Sequence, residues 1–287
     1  MDSFIIILTG SLVAASCGLL GCYLVLRKMA MIGDAISHAV LPGIVVAFLI
    51  SGSRDSLVMM LGAGVIGIMT TFFIEFLHRK VKLQEDASIG VVFTSLFALG
   101  VVLISYYAGN IDLDQDCVLY GEIAYVPLDT WTLASGQSIG PKALWILAVV
   151  FILIVLFIVL GYKELYLTTF DAGYAASLGI STTLWHYLLM SMVSFTTVAS
   201  FESVGAILVV AFLIAPAATA YILTDNFKQM LFLSVLIGII AAIGGYFLAG
   251  LIDGSIAGAM STVLGLEFVL AMLFSPSQGI VFKKLRV

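Results

Sequence analysis

Charge is what this 287-residue chain has least of, with 12 Lys and Arg, 17 Asp and Glu and 3 His, so that only 10% of its residues carry a formal charge while 62% are apolar. Soluble domains run at roughly 25% charged and 45–50% apolar residues, so this chain cannot clothe a water-facing surface and is read as a membrane protein. No basic cluster of the density that nucleic acid requires is present, which removes nucleic acid as a partner. Cysteine is scarce too: Cys17 and Cys22 fall in one apolar run and Cys117 in a polar stretch, which makes neither a disulfide framework nor a paired CxxC metal site. All three read as structural, the first two as small hydrophobes. Enzyme signatures are missing as well. There is no HExxH for a zinc protease and no GxxxxGK[ST] for a phosphate-binding loop. GQSIG at 136–140 matches a nucleophile elbow in letters alone, because it lies in a polar loop ahead of an apolar run. NIDLDQDC begins like a calcium loop but has Cys117 where glycine is required and Ile123 where the bidentate glutamate belongs. That stretch reads as a solvated acidic surface which draws cations and a protein partner.

What the chain has in abundance is apolar runs of the length, about 20 residues, that crosses a bilayer as helix. They are Phe4–Leu26, Ala35–Ile50, Leu57–Leu77, Ile89–Tyr107, Ala143–Gly161, Leu184–Ser200, Val204–Leu223, Met230–Leu251 and Ile256–Phe274. The first follows an acidic rather than a basic start, which suits a spanning helix better than a cleavable signal. The second and sixth are short and polar-spiced, so one of them is a candidate broken or re-entrant element, and eight full spans is the alternative count. The expected fold is an all-α polytopic membrane bundle of eight or nine helices, one transmembrane domain over residues 1–287.

Lysine and arginine mark the cytoplasmic side. A nine-span weave with an external N-terminus puts Arg27, Lys28, Arg79, Lys80, Lys82, Lys163, Lys228, Lys283, Lys284 and Arg286 inside and leaves Arg54 and Lys142 outside. The net charge of -5 then comes largely from external acids, most of them in the loop 108–142, which is long enough for a surface helix. The internal segment 163–182 reads as a short helix on the cytoplasmic face, with Asp171 as N-cap and Gly179 as its stop. Gly250, Gly254 and Gly258 recur at four-residue spacing, either as a helix-packing stripe or as loop glycines around Asp253. Pro42 and Pro216 fall in candidate spans and are expected to kink them.

The chemistry concentrates in GDAISHA. Residues four apart share a helix face, so Asp34 and His38 point the same way. An ionisable group near the bilayer centre costs at least about 2.5–3.5 kcal/mol on insertion scales and marks a pathway or an internal partner. A carboxylate with an imidazole suits Mn, Fe and Zn better than Ca, which wants oxygen alone, or Cu(I), which wants sulfur. Such ions take about four to six ligands, and a two-fold dimer doubles two donors to four. Alternatively Asp34 caps the second helix after Gly33, and His38 bonds a carbonyl across the bundle. Glu267 sits mid-span as a candidate for a polar path or an internal pair, and Glu202 lies between two spans at the outer edge. Glu75, His78 and His186 fall near helix ends, where solvation accounts for them.

GDAISHAVLPG (33–43), TTFDAGYAASLGI (168–180) and SVGAILVVAFLIAPAATAYIL (203–223) together resemble the manganese, zinc and iron permeases of ATP-binding-cassette importers, in the right order and across essentially the whole chain. The resemblance implies a multi-pass subunit of the bacterial cell membrane with a fold similar to the vitamin B12 and siderophore permeases. It implies a translocation path built by two permease subunits, a separate cytoplasmic subunit that binds and hydrolyses ATP, and an external metal-binding receptor. Asp34 and His38 match the family's GDAxSHA motif and are implied metal ligands. Thr169, Phe170, Asp171, Ala175, Leu178 and Gly179 fall in the implied ATPase-contacting helix, while Glu202, Pro216 and Glu267 are further pathway candidates. The cargo is Mn2+, Zn2+ or Fe2+, and no permanently bound cofactor is expected. The competing reading is a proton-coupled secondary transporter or channel. Such proteins often carry inverted repeats, and none is visible here.

Overall fold

In a computed structural model of the chain, residues 2–52, 56–107, 123–132 and 138–275 are described. The acidic stretch with Cys117, the GQSIG loop up to its residue 137 and the basic residues Arg54, Lys283, Lys284 and Arg286 lie outside them, as does the side chain of Glu202. The chain order is α1 (Asp2–Leu26), α2 (Ile32–Ala39), α3 (Leu41–Ser51), α4 (Ser56–Lys80), α5 (Glu85–Tyr107), a 3-10 turn (Ile123–Tyr125), β1 (Thr130–Thr132), β2 (Ser138–Pro141), α6 (Lys142–Leu160), α7 (Tyr162–Phe170), α8 (Ala172–Ser177), α9 (Thr182–Leu223), α10 (Phe227–Ile252) and α11 (Ile256–Phe274). Among the described residues nine segments are long and apolar enough to cross a bilayer, the larger of the two counts expected. The second span is broken at Val40 into α2 and α3, with Pro42 in the first turn of α3, where a missing amide hydrogen costs nothing.

At 42 residues, α9 would be about 63 Å long if straight, twice the roughly 30 Å of a hydrocarbon core. Its two ends instead lie at the same end of the bundle. His186, in its first turns, contacts Arg27 at the close of α1. Ile222, near its last turn, accepts a hydrogen bond from Ser275 beyond α11, and Phe227 just after it packs its ring against Tyr162, Tyr166 and Phe170 of α7. The helix therefore doubles back, and the reversal falls at Gly205 (φ 77°, ψ 162°), a conformation essentially reserved for glycine. The break is there and not at Pro216, which stands in helical backbone. At the opposite end Tyr246 donates to Ser3, as an alternating weave requires. Arg27, Lys28, Arg79, Lys80, Lys163 and Lys228 thus gather at one end, the cytoplasmic one by the positive-inside rule.

Helix α1 forms the axis of the bundle, packed against α6, α9 and α10. Val13 to Gly18 and Leu20 to Leu24 are all buried, which is why its sequence is apolar all round rather than striped. Cys17 and Cys22 are buried and free, as expected. Helix α6, by contrast, turns Val149, Ile152, Leu156 and Val159 outward, the composition of a lipid-facing span. Small residues set the close crossings, but not at the expected stripe. Gly250 has open space around it, Gly254 meets only its own neighbour Ile252, and Gly258 lies in the first turn of α11 under the Ser255 cap. Of the two readings, the loop one holds for Gly254 alone, since Gly250 ends α10 and Gly258 begins α11, and none of the three forms a packing stripe. The close approaches are at Gly21, where a Cβ would collide with the carbonyl oxygen of Leu213, and at Gly43 and Gly62, each facing the other's carbonyl.

Since backbone carbonyls cannot move aside, Gly21→Val should destabilise the fold by about 1–3 kcal/mol, and Gly205→Ala by a similar amount, about 1–3 kcal/mol, through backbone strain. Both should lower the melting temperature of the detergent-purified subunit, whereas Gly250→Ala should leave it unchanged.

Candidate functional site

Helix α2 carries a sharp division of chemistry. Every residue from Ile32 to Val40 is buried except Asp34 and His38, whose side chains retain 38% and 36% exposure and lie 3.5 Å apart, Oδ1 to Nε2. The buried side is fixed by Ile32, Ile36 and Ala39. Gly33 admits the Leu213 side chain where a Cβ would stand, and Ser37 donates to the Gly33 carbonyl at 2.9 Å. With that face locked to the bundle, the 3.6-residue period turns Asp34 and His38 together to the other side. Asp34 is not the helix cap: the helix begins at Ile32 with Met31 ahead of it and no capping side chain, so Asp34 sits in the first turn and is free to act as a ligand. Nor, among the described residues, does His38 bond a carbonyl across the bundle. Its ring lies beside Phe93 and Phe97 of α5, centroids 6.0 and 6.3 Å away.

The depth of the pair follows from its neighbours. Ile36 and Ser194 both border Gly67, which lies thirteen residues before the cytoplasmic end of α4, or about 20 Å up at 1.5 Å per residue. Asp34 and His38 therefore stand in the middle of the membrane zone, half open at the surface of a single chain. Among the described residues no group of three or more His, Cys, Asp and Glu side chains is arranged to hold a metal ion. One chain thus presents an oxygen and a nitrogen donor, an incomplete shell for any first-row divalent ion.

The cytoplasmic segment is built as its sequence indicates. Asp171 Oδ1 accepts the Tyr174 amide at 2.9 Å and caps α8, and Gly179 (φ 80°) closes it, with Gly179 and Ile180 amides donating to Ala176 and Ala175 carbonyls in a Schellman turn. Phe170, Tyr174 and Leu178 are each more than half exposed. Thr169 and Ala175 face inward instead: Thr169 bonds Arg27 at 3.1 Å and Ala175 is fully buried, so they brace the segment rather than extend its outer face. Of the remaining pathway candidates, Glu267 lies midway along α11 with one carboxylate oxygen buried and unpartnered among the described residues, and Pro216 is in the second half of α9. Neither is brought to Asp34 and His38 by a described contact.

Sequence reasoning passed over one cluster. Glu75 and His186, expected to be solvated, are 7% and 6% exposed, and they pair with each other while Glu75 also pairs with Arg79. Arg27 joins them through His186 and Thr168. Burial pulls the Arg27 guanidinium down to about 10, which still leaves it charged at neutral pH. The i, i+4 spacing of Glu75 and Arg79 was a visible signal. The other two members come from more than 45 residues away on either side, where no local pattern could point.

The chain matches the ABC 3 transport family over residues 3–275. It is 54% identical over 281 residues to the manganese transport system membrane protein MntD of Bacillus subtilis, covering 98% of this chain and 95% of that one. It is 44% identical over 276 residues to the zinc transport system membrane protein TroD of Treponema pallidum, covering 96% of this chain and 75% of that one. Among solved structures, PsaBC from Streptococcus pneumoniae in complex with Fab superposes with a TM-score of 0.79 at 31% identity, covering 99% of this chain and 94% of that one. Nine spans among the described residues, the GDAISHA helix and a match across nearly the whole length agree: the chain belongs to the ABC 3 transport family, as a multi-pass permease subunit of the bacterial cell membrane.

Proposed function

We propose that this subunit carries a divalent first-row metal ion, Mn2+ or Zn2+ by the cargo of its relatives and Fe2+ by the same ligand chemistry, and that Asp34 and His38 are its ligands in the path. The observation that carries this reading is the isolation of the pair. On a helix otherwise wholly buried, a carboxylate and an imidazole 3.5 Å apart face outward at mid-membrane depth. Left against lipid, the carboxylate alone would cost at least about 2.5–3.5 kcal/mol, so a protein seam must cover it. A two-fold contact with a second copy, or with a close relative of this chain, brings an equivalent pair across the seam and completes a four-donor shell.

Energy for import comes from a separate ATP-binding subunit, and the exposed Phe170, Tyr174 and Leu178 on the capped α7–α8 segment offer it a docking face. A metal-binding receptor delivers the ion at the opposite end, where Ser3 and Tyr246 meet. Mixed nitrogen and oxygen donors hold the ion firmly enough to strip part of its hydration, yet a shell divided between two subunits opens when they separate.

In proteoliposomes containing the assembled transporter, Asp34→Ala and His38→Ala should each reduce radiolabelled manganese or zinc uptake to background while the complex still purifies intact. Uptake at the wild-type rate in both variants would remove them as ligands. Asp171→Ala deletes a helix cap worth about 1 kcal/mol, and Gly179→Val imposes a left-handed conformation on a branched residue at about 1–2 kcal/mol. Both should weaken co-purification with the ATP-binding subunit without changing metal binding to the isolated permease. Unchanged recovery of the complex would place the contact elsewhere.

A further inference from the structure

At the cytoplasmic end of the bundle a cavity of about 630 Å³ is lined by Arg27, Glu75, Arg79, Thr168, Thr169 and His186, among others. Its centre is Arg27, the residue directly after α1 and seven before Asp34. Nε donates to Thr169 Oγ1 at 3.1 Å and Nη2 to Thr168 Oγ1 at 3.0 Å, so two of its bonds go to α7, in the cytoplasmic segment. The two hydroxyl hydrogens are already committed to the Leu165 carbonyl, which leaves their lone pairs turned to the guanidinium. The third contact, Nη1 to His186 Nδ1 at 3.5 Å, joins Arg27 to a ring whose Nε2 faces Glu75 of α4.

On the other side of Arg27 the chain has little slack. The amides of Lys28 and Met29 donate to the carbonyls of Val25 and Leu24 at 3.1 and 2.9 Å, and Lys28 takes a left-handed backbone (φ 62°). This Schellman turn ends α1 rigidly, and after a further bond from the Ile32 amide to the Met29 carbonyl the chain enters α2. From these contacts we infer that Arg27 is a positioning residue that ties the cytoplasmic segment to the helix bearing Asp34 and His38, so that displacement of α7 resets the metal pair. The inference rests on the reading of both ends given under the proposed function. The choice of partners suits a joint that moves: a buried guanidinium locked to a carboxylate is strongly destabilised when the pair is broken, whereas bonds to neutral hydroxyls are weaker and can be exchanged during a transport cycle.

The test uses the complete transporter, permease with its ATP-binding and receptor subunits, in liposomes, and reads metal ions taken up per ATP hydrolysed. Arg27→Gln, and Thr168→Val combined with Thr169→Val, should lower that ratio by about ten-fold, the order of a coupling between two sites, with ATP hydrolysis continuing. Thr168→Ser combined with Thr169→Ser keeps the acceptor oxygens and should restore the wild-type ratio. Equilibrium manganese binding to the purified permease should be unchanged in all three. A wild-type ratio in Arg27→Gln and in the valine pair, including the case where uptake and hydrolysis fall together, overturns the inference, as does a serine pair no better than the valine pair. Asp34→Ala separates the two readings: if it binds manganese as wild type does, the ligand assignment fails while the uptake ratio of Arg27→Gln still decides the link.

Discussion

The constraint on which this structure depends is that a polar group within a bilayer must find its partner inside protein, because lipid offers none. Several hydroxyls in the spans obey it at short range. Thr9, Ser37, Thr70, Thr71, Thr196 and Thr219 each donate to the carbonyl four residues back, so that they cost the helix little. Several ionisable groups are gathered instead. Arg27, Glu75, Arg79 and His186 satisfy one another near the cytoplasmic end, and Asp34 with His38 forms a second, smaller group that remains half open. The difference between the two groups is the difference between a closed internal joint and a site that needs something from outside the chain.

That distinction also explains what the sequence could disclose. Spans were legible because length and hydropathy are local, and Asp34 with His38 because their spacing matches the helix period. Asp171 and Gly179 were legible because caps have strong local chemistry. Gly250, Gly254 and Gly258 left two readings open because four-residue spacing says nothing about which helix, if any, lies opposite. Gly21 and Leu213, or Gly43 and Gly62, meet through tertiary packing and leave no mark in either segment. Glu75 and His186 likewise looked solvated because each sits near a helix end, and only the fold brings α4 and α9 together there.

Helix α9 brings several of these themes together. Its single non-helical residue, Gly205, lets two spans form from one helical run and returns the chain to the cytoplasmic end, where Phe227 enters the aromatic cluster of α7. Its first half presents Ser194 to Gly67 behind α2, and its second presents Leu213 to Gly21 and Gly33. The wall behind Asp34 and His38 is therefore made by both arms of one hairpin, and its first arm also carries His186, which pairs with Glu75 of α4 and contacts Arg27.

The short, tightly turned passage from Arg27 to Asp34 has a consequence for scale. Metal–ligand distances hold to within about 0.2 Å. If Asp34 and His38 grip the ion as proposed, a stiff seven-residue arm needs no large swing to spoil their shell, and a shift of a fraction of an ångström at its inner end is enough to turn a tight grip into a loose one.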